Sequence, residues 1–359
     1  MSKLTKIETF FKNLKLSADD ELFVGVDVHK KSYHVALFLN DAPAIDFVMP
    51  AKKEQLSLKL KTTAPALRQL VYETGPTGYG LARHMDKENL PISVVATSRI
   101  PRLSAGEDKT DKIDSRKLAQ YAAKGLLKPI KVPTPKQEAD RQLYRMRHRQ
   151  ARNLAKVKTQ IKSFLLMHDI DEPADLRNWN KSGIEQLRTV RLRKTLRLSL
   201  DELLSDMDYY VLRIKELNKL LAEHLNKGVL GQRIALLKTH PGVGTVVSCQ
   251  FATELFHYRQ FSNTRQVFKY LGLCPRIRQS GDRFVRGSIN KVSNSRLRGN
   301  LIQAAWRLVA IDKKTRKTYL RLVNNCGGIK QKAITAIARK LSGHLWKMLM
   351  NNQPYDPSK

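Results

Sequence analysis

Two runs of alternating apolar and polar residues near the start of the chain predict a β-hairpin. The segments LFVGVDV (22–28) and SYHVALFL (32–39) are rich in valine and aromatic residues, and the HKK sequence between them is short enough for a turn. The runs QLVYE (69–73) and ISVVA (92–96) predict two further strands, and LARHMDKENL (81–90) predicts a helix between them. We therefore expect an α/β fold in the first third of the chain.

Apolar spacings of three and four residues, which are typical of helices, dominate the rest of the chain. The segment TDKIDSRKLAQYAAKGL (110–126) predicts a helix with Thr110 or Asp111 as its N-cap. Further on, one repeat of this kind consists of Leu200, Leu203, Met207, Tyr210, Ile214, Leu217 and Leu221. Such a repeat is compatible with an antiparallel helical hairpin inside one domain and, equally, with a coiled coil between chains.

The last third of the chain is predicted to be mostly helical. LLKTHPGVGTVVSCQFATEL (236–255) indicates two apolar helices around a Pro-Gly-Val-Gly turn, which is a helix-hairpin-helix-like element. The backbone N–H groups at Gly242 and Gly244 suit a phosphate, although tight packing of the turn explains the glycines equally well. KQKAITAIARKLSGHLWKML (330–349) is amphipathic and is expected in the core. Three tryptophans are also expected in the core: Trp179, Trp306 and Trp346.

The proline-containing stretch KPIKVPTPKQ (128–137) is the best candidate for a domain boundary. The expected segments are an N-terminal extension (1–21), an α/β domain (22–130), a helical, coiled-coil region (138–228), a C-terminal helical domain (229–350) and a tail (351–359). The fold class is therefore α/β followed by all-α.

The net charge of +34 indicates a polyanionic partner, and nucleic acid is the usual one. Eight Lys or Arg and no acid occur from 141 to 162, and seven occur from 276 to 298 against Asp282 alone. A ribosome-like structural role or an anionic membrane surface are the weaker alternatives. The side chains expected to contact nucleic acid are Lys30, Arg145, Arg149, Arg152, Lys156, Arg276, Arg278, Arg283, Arg286 and Lys291.

The sequence favours a cytoplasmic protein. It contains no run of 18 uncharged apolar residues, so no membrane span is expected. The first 21 residues lack the apolar stretch and the cleavage site of a secretory signal. The three cysteines have no metal-ligand spacing and are expected as buried thiols in a reducing compartment.

Four acids stand out from their neighbours as candidate metal ligands. Asp27 lies inside a strand, and Glu73 ends a strand just before a glycine-rich loop. Asp111 and Asp114 are three residues apart at a helix start and so share one face. Taken alone, this pair is better explained as a cap and a first-turn acid, with neither residue catalytic. Together, the four match the way an RNase H-like fold builds a two-metal centre, and carboxylate oxygens suit Mg²⁺.

The motifs that contain these acids, GVDVHK, YETGPTGYG and KTDKIDSRKLA, resemble the DEDD motifs of the transposases of insertion sequence family 110. That family also includes the Piv-type DNA invertases. HPGVGTVVSCQFATEL, the basic segment from FSNTRQVFKYLGLCPRIRQSG to GNLIQAAW, and KAITAIARKLSGHLWKML resemble successive blocks of its C-terminal domain. The resemblance extends from about Phe23 to Leu349.

The resemblance implies a RuvC-like, RNase H-like N-terminal domain in which Asp27, Glu73, Asp111 and Asp114 hold Mg²⁺, as two ions, with Mn²⁺ as a substitute. It also implies a catalytic serine in the C-terminal transposase domain. The family's block there commonly has Ser-Ser-Gly before basic residues, and this chain has RQSGDRFVRGSINK. The matching position is Ser280, with Gln279 in place of the first serine. A plain turn serine is the alternative.

The function expected from the resemblance is that of a DNA recombinase, the transposase of an insertion sequence. Its implied partners are double-stranded donor and target DNA, a non-coding bridge RNA, and further copies of the chain in a dimer or tetramer, with the protein at the nucleoid when it binds DNA. A Piv-like site-specific invertase would share the same residues. A RuvC-like endonuclease would need the acids but not Ser280. A non-catalytic nucleic-acid-binding protein would need neither.

Overall fold

The structure is a computed structural model that describes residues 3–101, 111–281, 283–290 and 293–357. The chain divides into two compact units, Met1–Val132 and Pro133–Lys359. Within the described residues, the first unit is built on a five-stranded sheet, and the second is helical apart from a two-stranded sheet.

The first unit alternates strands and helices. In chain order its elements are α1 (Lys3–Asn13), β1 (Leu22–Val28), β2 (Ser32–Leu39), β3 (Ala42–Pro50), α2 (Lys53–Lys61), β4 (Leu67–Glu73), α3 (Gly80–Lys87), β5 (Ile92–Val95) and α4 (Asp111–Ala123). The strand order is β3-β2-β1-β4-β5. β2 pairs antiparallel with both β1 and β3. β4 pairs parallel with β1, and β5 pairs parallel with β4. The predicted α/β fold of this region is therefore confirmed.

The sequence pattern did not indicate β3, α1 or α2. β3 follows β2 through a two-residue turn at Asn40 and Asp41, whose φ angles are 47° and 62°. Such turns are usually recognised by a glycine, which this turn lacks. The predicted helix at α4 is present and begins at Asp111, whereas the alternative N-cap, Thr110, lies outside the described residues.

Helix α4 covers one face of the sheet and touches it at Gly25. A Cβ at Gly25 would lie 2.5 Å from the Ala119 nitrogen and closer still to the Ser115 carbonyl oxygen, so only glycine lets the helix backbone approach β1 this closely. Arg116 of α4 also donates from Nε to Asp46 Oδ1 of β3 at 2.9 Å. The apolar residues around this contact are Val71, Val95, Leu118 and Ala122.

The opposite face of the sheet carries the main core of the first unit. Val24 and Val26 alternate with Gly25 along β1 and belong to one apolar cluster with Leu56 of α2 and Met85 of α3. All four of these apolar side chains are fully buried. The unit therefore has three layers, with α4 on one side of the sheet and α2 and α3 on the other.

The second unit contains nine helices and one β-hairpin among its described residues. They are α5 (Pro135–Met167), α6 (Lys181–Thr189), α7 (Lys194–Leu225), α8 (Gly228–Lys238), α9 (Thr245–Glu254), α10 (Thr264–Leu271), β6 (Pro275–Ser280), β7 (Arg283–Ile289), α11 (Ser295–Ile311), α12 (Lys313–Asn325) and α13 (Lys330–Asn351). A capping box between Thr134 and Gln137 starts α5, with Pro135 as its first residue. The predicted helical nature of this part is confirmed.

The 3–4 repeat of α7 packs inside its own unit, against α5. Val157, in the second half of α5, packs with Leu200 at the start of α7, whereas Tyr144 near the start of α5 packs with Leu221 near the end of α7. The two helices are therefore antiparallel, as the hairpin alternative predicted. The half-buried members of the repeat are Leu203, Tyr210 and Ile214.

Helix α13 lies in the core of the second unit, as its amphipathic pattern predicted. Ala338 and Leu345 are fully buried, and Trp346 donates from Nε1 to the Tyr258 carbonyl oxygen at 2.9 Å. The expectation for Trp306 is wrong, because this side chain is 39% exposed on the outer face of α11. An apolar spacing shows which residues share a face, but a bulky ring at the edge of that face remains partly in solvent. Trp179 is half-buried.

A buried ion pair joins the first helix of the second unit to α9. Arg145 of α5 donates from Nε and Nη2 to the two carboxylate oxygens of Glu254, at 3.0 and 3.1 Å. Glu254 is 2% exposed, and Asn294, the N-cap of α11, donates to the same carboxylate at 3.2 Å. A forked guanidinium is suited to this two-point contact, so the pair links three helices at one point.

The three cysteines differ in burial. Cys249 is buried, and burial raises the pKa of its thiol to about 11, while Cys274 and Cys326 are half-buried; all three are free thiols. None of the helices in the described ranges is both long enough and apolar enough to cross a membrane.

We predict that Gly25→Ala destabilises the first unit by roughly 1–3 kcal/mol or more, because the added methyl group must push the α4 backbone away from β1. The matched control is Gly80→Ala at the start of α3, where a methyl group meets no atom within 4 Å. Chemical unfolding followed by circular dichroism measures both variants. Equal unfolding free energies for the two would contradict the close contact.

We predict that Arg145→Gln destabilises the second unit by roughly 3–5 kcal/mol, because it leaves the carboxylate of Glu254 buried without its cation. Arg149→Gln is the control, since Arg149 lies one turn further along α5 and is exposed. The same unfolding assay compares them. A loss of stability in the Arg149 variant as large as in the Arg145 variant would show that charge alone, and not the buried pair, is responsible.

Candidate active site

Two of the four predicted acids lie side by side at the carboxyl ends of adjacent parallel strands. The register of β1 against β4 pairs Val26 with Tyr72, so the next residues, Asp27 and Glu73, lie level with each other. Asp27 lies two residues after Gly25, which contacts α4. Glu73 lies two residues after Val71, which packs with Leu118 of α4. Successive side chains in a strand alternate between faces, so Asp27 and Glu73 lie on the α4 face of the sheet.

The first turn of α4 comes just before the helix crosses β1. The backbone from Ser115 to Ala119 lies against β1 at Gly25, while Ala122, further along the helix, packs around Val71. Gly25 and Val71 are level in the register, so α4 passes over both central strands.

Asp114 is half-buried in this first turn, one turn before Leu118, which packs on the sheet, so the two share the sheet-facing side of α4. Asp111 begins the helix, and its side chain lies outside the described part of the chain.

Two histidines of the β1–β2 hairpin lie beside Asp27. His29 Nε2 lies 3.0 Å from Asp27 Oδ2, with Asp27 only 14% exposed. His34 pairs directly with Asp27 in the β1–β2 register, so its side chain occupies the same face. The two imidazole rings contact each other edge to face, 5.6 Å apart. The β-hairpin therefore brings two imidazoles beside the carboxylate.

The glycine-rich loop after β4 leaves open space next to Glu73. Tyr72 donates its hydroxyl hydrogen to the Gly78 carbonyl oxygen at 3.2 Å, and burial raises the pKa of Tyr72 to about 12, so the hydroxyl stays a donor. Gly78 has φ of 69°, which favours glycine. A Cβ at Gly78 or Gly80 would meet no atom within 4 Å. Gly78 therefore allows the left-handed turn, and neither Gly78 nor Gly80 is required by close packing.

The donor set at this end of the sheet fits a hard divalent cation. Carboxylate oxygens are the ligands that Mg²⁺ and Mn²⁺ accept, and both bind with water molecules in the remaining positions. Among the described side chains, which do not include Asp111, no group of three His, Cys, Asp or Glu residues is placed to hold a metal ion. The described ligands therefore amount to an open arrangement in which Asp27 and Glu73 are level and Asp114 is on the facing helix.

Ser280 is the last residue of β6, at the tip of the β6–β7 hairpin. It pairs with Arg283, and Gly281 in the turn has φ of 54°. The side chain of Ser280 lies outside the described part. At the base of the hairpin, Arg298 of α11 donates from Nη1 to the Asn290 carbonyl oxygen at 2.9 Å. The predicted segment thus forms a strand end and turn, which the sequence pattern had indicated only as a turn.

The predicted nucleic-acid-binding residues fall into different environments. Arg149, Arg152 and Lys156 are exposed on α5 at spacings of three and four residues, so they share one face. Arg145 instead holds the carboxylate of Glu254, which occupies its guanidinium. Lys30 and Arg276 are exposed. The residues whose side chains lie outside the described part are Arg278, Arg283, Arg286 and Lys291, and Lys291 is outside the described residues altogether.

The two glycines of the α8–α9 turn have different roles in the fold. Gly242 has φ of 86°, and a Cβ there would lie 3.1 Å from Leu308 Cβ of α11, so packing accounts for this glycine. Gly244 is the N-cap of α9, is exposed, and has no atom within 4 Å of a Cβ position. Of the two glycines, Gly244 is therefore the one with open space around it at the start of α9.

Sequence comparisons identify relatives for both units. A model of the DEDD-type transposases of IS110 elements, described as "Transposase", matches residues 24–168. A second model, described as "Transposase IS116/IS110/IS902 family", matches residues 234–320. The first match contains Asp27, Glu73, Asp111 and Asp114, and the second contains Ser280.

Curated relatives align over most of the chain. The protein y4qE of Sinorhizobium fredii is 28% identical, over 91% of this chain and 88% of its own length. The transposase for insertion sequence element IS1533 of Leptospira borgpetersenii is 23% identical, over 93% and 97%. The transposase for IS1328 of Yersinia enterocolitica is 25% identical, over 79% and 82%. Two models of one family match separate parts of the chain, and transposases align along nearly all of it, so the chain belongs to the IS110 family of transposases.

Proposed function

We propose that this transposase cuts and rejoins DNA strands with a divalent-metal centre in its first unit and a serine nucleophile in its second. The observation that carries the proposal is the position of Asp27 and Glu73, level with each other at the carboxyl ends of neighbouring strands, on the face of the sheet that α4 covers. The first unit is accordingly proposed to be an RNase H-like, RuvC-like catalytic unit. The strand order β3-β2-β1-β4-β5 supports this assignment.

The metal ligands would be Asp27, Glu73, Asp111 and Asp114, and the ion would be Mg²⁺, with Mn²⁺ as a substitute. Bound there, two such ions supply charge that stabilises the attacking and leaving oxygens of a phosphoryl transfer. The chain itself contributes the orientation of the acids. Gly25 lets α4 approach β1, and the ion pair between Arg116 and Asp46 ties the same helix to β3.

Ser280 is proposed as the nucleophile. Its oxygen forms a bond to phosphorus while the bond from phosphorus to one strand oxygen breaks, and the proton of the serine hydroxyl is balanced by one taken up on the leaving oxygen, which becomes the free hydroxyl end of that strand. Attack by the hydroxyl of another strand on the phosphoserine reverses this exchange and joins the new strand. One phosphate ester replaces another at each step, so no nucleotide hydrolysis is needed. Two points support the assignment: the match to the family's C-terminal model and the position at a hairpin tip.

The partners proposed are double-stranded donor and target DNA and a bridge RNA. The net charge of +34 supports a polyanionic partner, and the exposed row of Arg149, Arg152 and Lys156 offers one face for phosphates. Strand exchange needs more than one active site, so we propose that the protein acts as a dimer or tetramer.

Three other functions make different demands on these residues. A Piv-like invertase would use the same acids and serine on a different arrangement of DNA sites. An endonuclease that cuts with water would not depend on Ser280. A non-catalytic nucleic-acid-binding protein would depend on neither the acids nor the serine, and its alignment with transposases would be unexplained.

We predict that Asp27→Asn, Asp111→Asn and Asp114→Asn each reduce magnesium-dependent recombination by more than about 100-fold, because loss of even an outer partner of a metal costs about 10–100-fold. The matched control is Asp41→Asn, an exposed turn acid whose left-handed backbone asparagine also adopts. Recombination of a plasmid substrate over a range of Mg²⁺ concentrations measures all four. Full activity in the Asp27 and Asp114 variants would rule out the metal centre.

We predict that Ser280→Ala abolishes covalent protein–DNA adducts while DNA binding is retained. The control is Ser288→Ala, because Ser288 is an exposed serine on β7 of the same hairpin. Adducts are counted on denaturing gels after proteins are trapped on labelled DNA, and binding is followed in parallel. Adducts at the normal level in the Ser280 variant would assign the attack to another group.

A further inference from the structure

A cavity of about 520 Å³ lies within the second unit, where the residues after α13 fold back against α8, α11, α12 and α13. The Tyr355 backbone N–H donates to Thr239 Oγ1 at 2.9 Å and so attaches this tail to the end of α8. The apolar part of the wall consists of Leu308, Ile337, Leu341 and Met348, all of them buried. A cavity of this volume is within the range of small-ligand sites.

His240 lines the cavity and carries a buried nitrogen without a partner. Its Nδ1 lies 2.7 Å from the Pro241 carbonyl oxygen, which can only accept, so Nδ1 bears the proton. Burial lowers the pKa of His240 to about 4, so the ring is neutral near pH 7 and Nε2 is an acceptor. The side chain is 2% exposed, and Nε2 has no hydrogen-bond partner among the described residues. A ligand with an O–H or N–H donor would satisfy this atom.

The rest of the cavity wall carries more positive than negative charge. Lys314, Lys340 and Lys347 line it together with His344, against the carboxylates of Asp312 and Asp356. Asp312 is already engaged as the N-cap of α12, where its Oδ2 accepts from the Thr315 N–H at 2.7 Å. The lysines can therefore attract an anionic group to one side of the apolar wall.

An aromatic ring already lies against His240. The Tyr355 ring is 4.3 Å from the imidazole centroid to centroid, tilted by 53°. His344 lies on the other flank, 6.0 Å away. His240 thus lies between two tilted aromatic rings.

We propose that this cavity binds one unpaired nucleotide of the nucleic acid on which the protein acts, with the phosphate at Lys340 and Lys347 and a hydroxyl or amino group donating to His240 Nε2. A nucleotide has three groups that match this wall. Its flat base suits the apolar side chains, its phosphate suits the lysines, and its hydrogen-bond donors suit His240 Nε2. Inorganic phosphate would leave both the apolar wall and Nε2 unused. The inference rests on the proposed action on nucleic acid, and it adds a subsite that neither the acids nor Ser280 provide.

The test uses the full chain and a short single-stranded oligonucleotide, prepared as RNA and as DNA, each with a photoreactive thio-substituted base. We expect Lys340→Gln with Lys347→Gln to weaken binding about tenfold and to lower the slope of log Kd against log salt by roughly one to two, because two phosphate contacts are lost. The charge-matched control is Lys215→Gln with Lys219→Gln, two exposed lysines on α7. Crosslinks should map to the segment from Ile337 to Pro357.

A second variant separates the hydrogen bond from the charge. His240→Phe keeps a flat ring and should weaken binding while the salt slope stays unchanged. Preference for RNA would assign the donor to the ribose hydroxyl, and equal binding of RNA and DNA would assign it to the base; both support the subsite. The subsite is overturned if the Lys340 and Lys347 variant binds like its control and crosslinks fall elsewhere. If the unaltered protein binds neither oligonucleotide but still recombines plasmid DNA, the subsite is overturned and the proposed function stands; if it does neither, the proposed function fails.

Discussion

The contact between Gly25 and the backbone of α4 is the constraint on which the candidate active site depends. The helix crosses β1 where the strand has no side chain, so Ser115 and Ala119 lie against the sheet itself. The helix therefore covers the face of the sheet that carries the acids at the carboxyl ends of β1 and β4. Asp27 and Glu73 lie at those ends. A carboxylate among buried valines is costly unless a partner compensates for it, and His29 Nε2, 3.0 Å from Asp27 Oδ2, is such a partner.

The second unit is organised around buried polar contacts as well as its apolar core. Glu254 accepts hydrogen bonds from Arg145 and Asn294, and so brings α5, α9 and the start of α11 to one point. Along the chain, the β6–β7 hairpin comes before Asn294, the N-cap of α11. Arg298 of α11 donates to the Asn290 carbonyl oxygen at the base of that hairpin. The base of the hairpin that carries Ser280 is therefore bonded to α11 through Arg298 and Asn290.

Some features could be predicted because local chemistry decides them. The strands around Asp27 and Glu73 follow from β-branched and aromatic runs, and α13 follows from its apolar spacing. The pairing of His34 with Asp27 could not be predicted in this way. A turn one residue shorter or longer would have placed a different side chain opposite the acid, because side chains alternate between faces. β3 was missed because its turn at Asn40 and Asp41 has no glycine.

By itself, the sequence determined the succession of strands and helices, the excess of positive charge and the spacing of the acids, since these depend on residue type and local order. Only the tertiary structure decided which charges are engaged. Arg145 and Arg149 look alike in one basic run, yet the first holds a buried carboxylate and the second is exposed. Among the described residues, Nε2 of His240 likewise has no hydrogen-bond partner, because the side chains packed around it do not donate to it. Such differences arise from contacts between residues far apart in the chain, which a pattern of neighbouring residues does not contain.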